Sequence, residues 1–250
     1  MNFYPRMILN RSNILILYEI NIDSYTDIYI DKDAISSYDY FSNHNLTHNI
    51  GSTIMLIKRD QIPILIFNIC FLAFFTVLFT SRKNYEFLMY IGVILFFLFI
   101  IIATNRKVNY PNSVLWGLTL WALLHMSGGG LYIKGIKLYE IILLPISKSY
   151  SIFRYDQFVH IIGFGVATLV MYYILRPLLS PEVKKWTAIS IVIVMAGLGV
   201  GALNEIVEFL VTVILPETGV GGYINTSLDL VADLIGSLLA LVYIRIRESK

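Results

Sequence analysis

From residue 60 onward the chain is a succession of charge-poor apolar blocks separated by short polar breaks. A block of about 20 mainly apolar residues is the length at which an α-helix crosses the hydrocarbon core of a bilayer. Six blocks of that kind predict spanning helices at roughly 62–80, 85–104, 113–130, 156–175, 186–215 and 226–244. In hydrocarbon every backbone polar group must be satisfied within the segment. The expected fold class is therefore an all-α polytopic integral membrane helix bundle of about six transmembrane helices. The breaks are short except for 131–155, where the apolar stretch Tyr139–Pro145 is too short to cross and is expected to lie at the interface or to re-enter partway. Gly128, Gly129 and Gly130 are expected to terminate the third helix.

Residues 1–57 break this pattern, being rich in Asn, Asp, Ser and Tyr, with a period-two series Ile20, Ile22, Ile28 and Ile30 around Asp23 and Asp27. They read as a polar N-terminal tail, either paired as a short hairpin or disordered, and a start at Met55 would remove them from the product. The transmembrane helical domain is then 58–250. Lys58 and Arg59 precede an apolar block of full spanning length with no small-residue cleavage site, the pattern of a signal anchor.

Composition agrees with the blocks: 57% of residues are hydrophobic and 14% charged, too apolar for a soluble domain. The lipid bilayer is the expected partner. A net charge of +2, with basic residues in short groups and no stripe, excludes nucleic acid. Those groups report topology instead. One side of the six helices collects Lys58, Arg59, Arg106, Lys107, Arg176, Lys184, Lys185, Arg245, Arg247 and Lys250; the other holds Arg82, Lys83, Lys134, Lys137, Lys148 and Arg154. The excess of basic residues places both termini in the cytoplasm of a multi-pass cell-membrane protein. The single cysteine, Cys70, rules out an intrachain disulfide and is expected to face lipid or a packing surface.

The ionisable residues inside the blocks fall at one level. His125 is late in the third helix, Asp156 and His160 are early in the fourth, Glu205 and Glu208 are late in the fifth, and Asp229 and Asp233 are early in the sixth. Consecutive helices run in opposite directions, so late, early, late, early is one depth. Asp156, His160 and Gly163 recur at i, i+4 and i+7, as do Asp229, Asp233 and Gly236, and Trp121, His125 and Gly128. Each set therefore lies on one helical stripe. Asn204 is one turn from Glu208. The expectation is a single inward-facing polar pocket, with Gly197 and Gly201 marking a close helix contact.

Five carboxylates that were ionised, dry and unpaired would cost on the order of 10 kcal/mol. Two histidines and Arg154 are too few to neutralise them. Shared protons, water or a divalent cation must make up the difference, and mixed histidine and carboxylate ligands suit zinc, manganese or iron. Asp156 also reads as a helix N-cap, and Asp229 as a partner of the helix dipole.

Leu124-His125-Met126 with its glycines, Tyr155-Asp156-Gln157-Phe158-Val159-His160, Asn204-Glu205-Ile206-Val207-Glu208 and the stretch Ser227–Gly236 resemble, in that order, the YjdF-like family of inner-membrane proteins and, more distantly, the VanZ-like family. Gln157 stands where a basic residue is common in the first family, and Asn204 where an aromatic is usual. The resemblance implies a shared pocket at these positions and names no reaction.

Three functions stay open. The first is a metal-dependent hydrolase or transferase acting on a lipid or lipid-linked substrate from the outer leaflet, with Asp156, His160, Glu208 and Asp233 as ligands and Glu205 as general base. The second is a transporter in which the acids carry protons or cations. The third is a structural polar network without catalysis.

Overall fold

A computed structural model describes residues 4–10, 13–22, 25–30, 57–147, 150–179 and 186–249. The chain divides into two units, Met1–Met55 and Leu56–Lys250. In the first, β1 (Tyr4–Asn10), β2 (Asn13–Ile22) and β3 (Tyr25–Ile30) pair consecutively and antiparallel. Tyr4 lies opposite Glu19, and Ile20 opposite Asp27, so the period-two series falls on β2 and β3. Asp23 and residues 31–56 of the tail lie outside the described residues.

The second unit is a helical bundle: α1 (Ile62–Ser81), α2 (Tyr85–Val108), α3 (Asn112–Gly130), α4 (Tyr155–Leu175), α5 (Trp186–Ile214) and α6 (Tyr223–Glu248). All but α3 are long and apolar enough to cross a membrane. Helix α3 forms where a span was expected, but Asn112, Ser113, Thr119, His125 and Ser127 within 19 residues lower its apolar character. It packs against α1 and α4.

Local chemistry sets the helix ends. The Asn84 side chain accepts from Phe87 N at 3.2 Å to start α2, and Asn109 closes it in the left-handed region at φ 59°. At α4 the cap residue is Arg154, whose N–H donates to Gln157 Oε1 at 2.7 Å. Asp156 is thus in the first turn and is not the cap. Helix α6 begins at Tyr223, three residues before the expected start. That puts Asp229 nearly two turns inside, beyond the first-turn reach of the helix dipole.

Between α3 and α4 the chain makes a small hairpin, β4 (Tyr132–Ile133) and β5 (Ile136–Lys137), turning through Gly135 at φ +83°. A turn at Leu138–Glu140 follows, and Leu143 N and Tyr155 N then bond to Phe153 O and Ile141 O at 2.9 and 2.8 Å. Ile142, Leu143 and Leu144 stay exposed. This face is the hairpin end of the bundle. Here Arg82 donates to Gly130 O, and Glu86 Oε2 accepts from Gly219 N at 2.7 Å, which ties the α5–α6 loop to the start of α2. At the opposite end Asn105 donates to Gln61 Oε1 at 2.6 Å, and Asn112 to Asp60 Oδ2 at 2.8 Å.

The aromatic runs of α1 and α2 divide between two environments. Phe71, Phe75 and Phe79 of α1 and Phe87 and Tyr90 of α2 build a core with Met126, whereas Phe67, Phe74, Phe96 and Phe99 remain on the surface, as does Cys70. Each run is therefore half core and half surface. In a bilayer the exposed half faces acyl chains at no hydrophobic cost, so nothing in composition separates the two faces.

Candidate functional site

The site is built where α4, α5 and α6 meet, and it is layered because each helix repeats its inward positions about every four residues. Nearest the hairpin end, Gln157 Nε2 donates to Asp229 Oδ1 at 2.8 Å. The Asn225 amide donates to Asp156 Oδ2 at 3.1 Å and also to Asp229 Oδ2. One turn deeper lie His160, Glu205 and Asp233. His160 Nδ1 is 2.8 Å from Asp233 Oδ1 and 4.0 Å from Glu205 Oε1, and Nε2 is 3.9 Å from Asp156 Oδ1.

Below that level Thr168 Oγ1 donates to Ser237 Oγ at 2.9 Å, and Gly197 of α5 faces both side chains. One turn further, Tyr172, Ile193 and Ile244 close the stack with apolar surface. Small residues allow the three helices to approach this closely. A Cβ on Gly201 would overlap the Asp233 carboxylate, and one on Gly236 would meet the backbone of α4 at Ile161 and Gly165. The Gly197 and Gly201 pair is thus a close helix contact, as its spacing predicts, and what it receives is polar side chains.

The two upper layers differ in how their polar atoms are satisfied. In the first, every carboxylate has an amide donor from Gln157 or Asn225. In the second, Glu205 Oε1 and Oε2 and Asp233 Oδ2 are buried with no hydrogen-bond partner among the described residues. Asp229 and Asp233 are 0% exposed, His160 5% and Glu205 9%. Buried carboxylate oxygens without partners are costly, so the second layer calls for a proton, a water or a cation. Among the described residues two groups can offer ligand atoms all within 4.8 Å of one another: His160, Glu205 and Asp233, and Asp156, His160 and Asp229.

Glu208, expected among the ligands, is in neither group; its Oε1 accepts from Asn204 Nδ2 at 2.9 Å. Glu205, expected as a base, is in the more buried group. His125 stands apart in an aromatic enclosure. Trp121 stacks on it at 5.7 Å between ring centroids, Tyr90 and Tyr139 lie edge-on at 5.3 and 5.7 Å, and Phe87 is at 5.8 Å. The Tyr139 hydroxyl bonds to His125 Nδ1. Burial pushes the Tyr139 phenol well above its ordinary range, and the carboxylates of Asp156 and Glu208 push it in the same direction.

Gln157, Asn225, Thr168, Ser237 and Tyr139 are the participants that a reading of ionisable residues passes over. A signal for two of them was present. Asn225, Asp229, Asp233 and Ser237 repeat every four residues along α6, one polar stripe that extends beyond its two acids in both directions.

Residues 62–250 match the model of a family described as predicted membrane protein (DUF2238). Neither the curated proteins nor the solved structures contain a match to the chain.

Proposed function

The chain belongs to that family of predicted membrane proteins, and from that premise we propose that it is a metal-dependent membrane hydrolase or transferase whose cation is held by His160, Glu205 and Asp233. The observation that carries this reading is the set of three buried oxygens, Glu205 Oε1 and Oε2 and Asp233 Oδ2, that have no hydrogen-bond partner among the described residues and lie beside the His160 imidazole. Two ionised carboxylates and one divalent cation sum to zero charge, which removes the main penalty of burying the acids. A single shared proton would satisfy at most two of the three oxygens. One imidazole nitrogen with carboxylate oxygens suits zinc, manganese or iron.

When bound, such an ion acts as a Lewis acid or lowers the pKa of a water. Asp156, on the Nε2 side of the imidazole and with a 19% exposed side chain, is placed to exchange protons with whatever enters. Gln157 and Asn225 hold Asp156 and Asp229 in register above the ligands. The apolar layer of Tyr172, Ile193 and Ile244 supports a site entered from one side and argues against a conduction path. A substrate reaching it from the hairpin end is a lipid or lipid-linked molecule, since apolar helix surface surrounds the entrance. This reading takes the hairpin end as the outer face of the cell membrane, on the excess of basic residues at the other end. The likeness to the YjdF-like pattern, and more distantly to the VanZ-like one, rests on the same motif residues.

The test is metal analysis of the full chain purified in detergent, before and after incubation with zinc, manganese or ferrous salts. About one ion per chain is expected in the parent, with loss in Glu205→Ala and Asp233→Ala and retention in Glu208→Ala. A parent that holds no ion under any of these conditions would sink the proposal.

A further inference from the structure

At the end of the bundle opposite the hairpin, a cavity of about 140 Å³ opens between the last turns of α4 and α6. Its polar lining is Tyr172, Tyr173, Arg176, Tyr243, Arg247 and Glu248. We propose that this cavity binds a phosphate-bearing anionic group, held by the guanidiniums of Arg247 and Arg176 and by the surrounding phenols.

Charge is the first argument. Two guanidiniums face one carboxylate, and that carboxylate is already engaged: Glu248 Oε1 accepts from the Tyr172 hydroxyl at 2.6 Å and pairs with Arg176 at 3.4 Å. Among the described residues no carboxylate pairs with Arg247. Its Nη1 meets the hydroxyls of Tyr173 and Tyr243, each at 3.4 Å and longer than a good hydrogen bond, and its guanidinium lies 5.9 Å from the centroid of the Tyr243 ring. A planar fork of donors with such weak partners is suited to an oxyanion.

Size and position are the second. The cavity is well below the roughly 300–1,000 Å³ of sites that enclose a drug-sized molecule, so it fits a headgroup and not a whole lipid. Arg176 follows Tyr155 by 21 residues, which is about 30 Å of helix and the thickness of the hydrocarbon core. The arginines and tyrosines therefore lie where headgroups lie, and basic pockets between spanning helices are known sites for anionic lipids. His160 is 16 residues, or about 24 Å, from Arg176 along α4, so this pocket is separate from the candidate metal site. Arg245, which covers the Trp186 ring at 4.6 Å, adds positive charge at the same end.

The experiment follows thermal unfolding of the purified full chain in detergent during titration with short-chain phosphatidylglycerol, with phosphatidylcholine of the same acyl length, and with inorganic phosphate. A ligand that binds only the folded state raises the midpoint saturably. The expected result is stabilisation by phosphatidylglycerol at concentrations at least tenfold below those at which phosphatidylcholine acts. Arg247→Gln and Arg176→Gln should each require about tenfold more lipid, while Arg106→Gln behaves as the parent. Both pocket arginines are exposed, so their variants are expected to fold. Saturable stabilisation by inorganic phosphate that depends on Arg247 would support the pocket and assign it to a soluble anion. Equal responses to the two lipids, no response to any probe, or an Arg247→Gln response equal to the parent's would overturn it.

Discussion

Gly236→Ala tests the geometry on which the site depends without touching an ionisable group. A Cβ added there would lie 2.9 Å from Gly165 N and 3.1 Å from the carbonyl carbon of Ile161, and would overlap the Ile161 oxygen. These are backbone atoms of α4 and cannot rotate away. Ordinary carbon–oxygen approach is about 3.3–3.6 Å, so α4 and α6 must separate by roughly 1 Å. Asp233 is one turn from Gly236 on the same stripe, and its 2.8 Å approach to His160 Nδ1 would lengthen, past the limit of a good hydrogen bond in the ion-free protein. Overpacking costs about 1–3 kcal/mol, and a lost charged hydrogen bond about 1.5–3. The expected destabilisation is therefore roughly 3–5 kcal/mol, read as a shifted midpoint when helical structure is followed during a dodecyl sulfate titration in mixed micelles. Gly199→Ala is the internal control. Nothing lies within 4 Å of a Cβ at Gly199, and replacing a mid-helix glycine is expected to add up to about 1 kcal/mol. A Gly236→Ala protein as stable as the parent would refute the close approach of α4 and α6.

Chelation should lower the unfolding midpoint of the parent while leaving Asp233→Ala unmoved, because only a protein that holds the ion is stabilised by it. Gln157→Ala removes both the bond to Arg154 N at the start of α4 and the donor to buried Asp229, and is expected to cost about 2–4 kcal/mol in the same titration. Alkaline titration probes Tyr139. With its phenol held well above the ordinary range, the unfolded chain releases that proton near pH 10 while the folded chain keeps it, so this contribution is present below about pH 10 and is lost as pH rises. Tyr139→Phe should accordingly lose less stability than the parent between pH 9 and 11, and an identical decline in the two proteins would contradict the burial of this hydroxyl.

The sequence alone determined the helices and the depth of the acids. Block length against bilayer thickness is a one-dimensional property, so the helices fall close to the expected residues, and the late, early, late, early placement of His125, His160, Glu205 and Asp233 on antiparallel helices fixes their common level. The block at 113–130 reads as a spanning helix like the others, and α3 forms there as a helix whose serines, threonine and histidine keep it less apolar than its neighbours.

What only the tertiary structure decided is rotation and partnership. Glu205 and Glu208 are three residues apart and equally acidic in the sequence, yet Glu205 turns toward His160 and Asp233 while Glu208 bonds to Asn204. His125 shares the level of the acids but lies among Trp121, Tyr90, Phe87 and Tyr139, the last supplied by a loop whose path no periodicity describes. In a soluble helix the apolar stripe would have given such rotations away. Here lipid and core are equally apolar, so the hydrophobic pattern carries no phase, and only packing of particular residues, Gly236 on the α4 backbone and Gly201 on Asp233, sets which side chains meet.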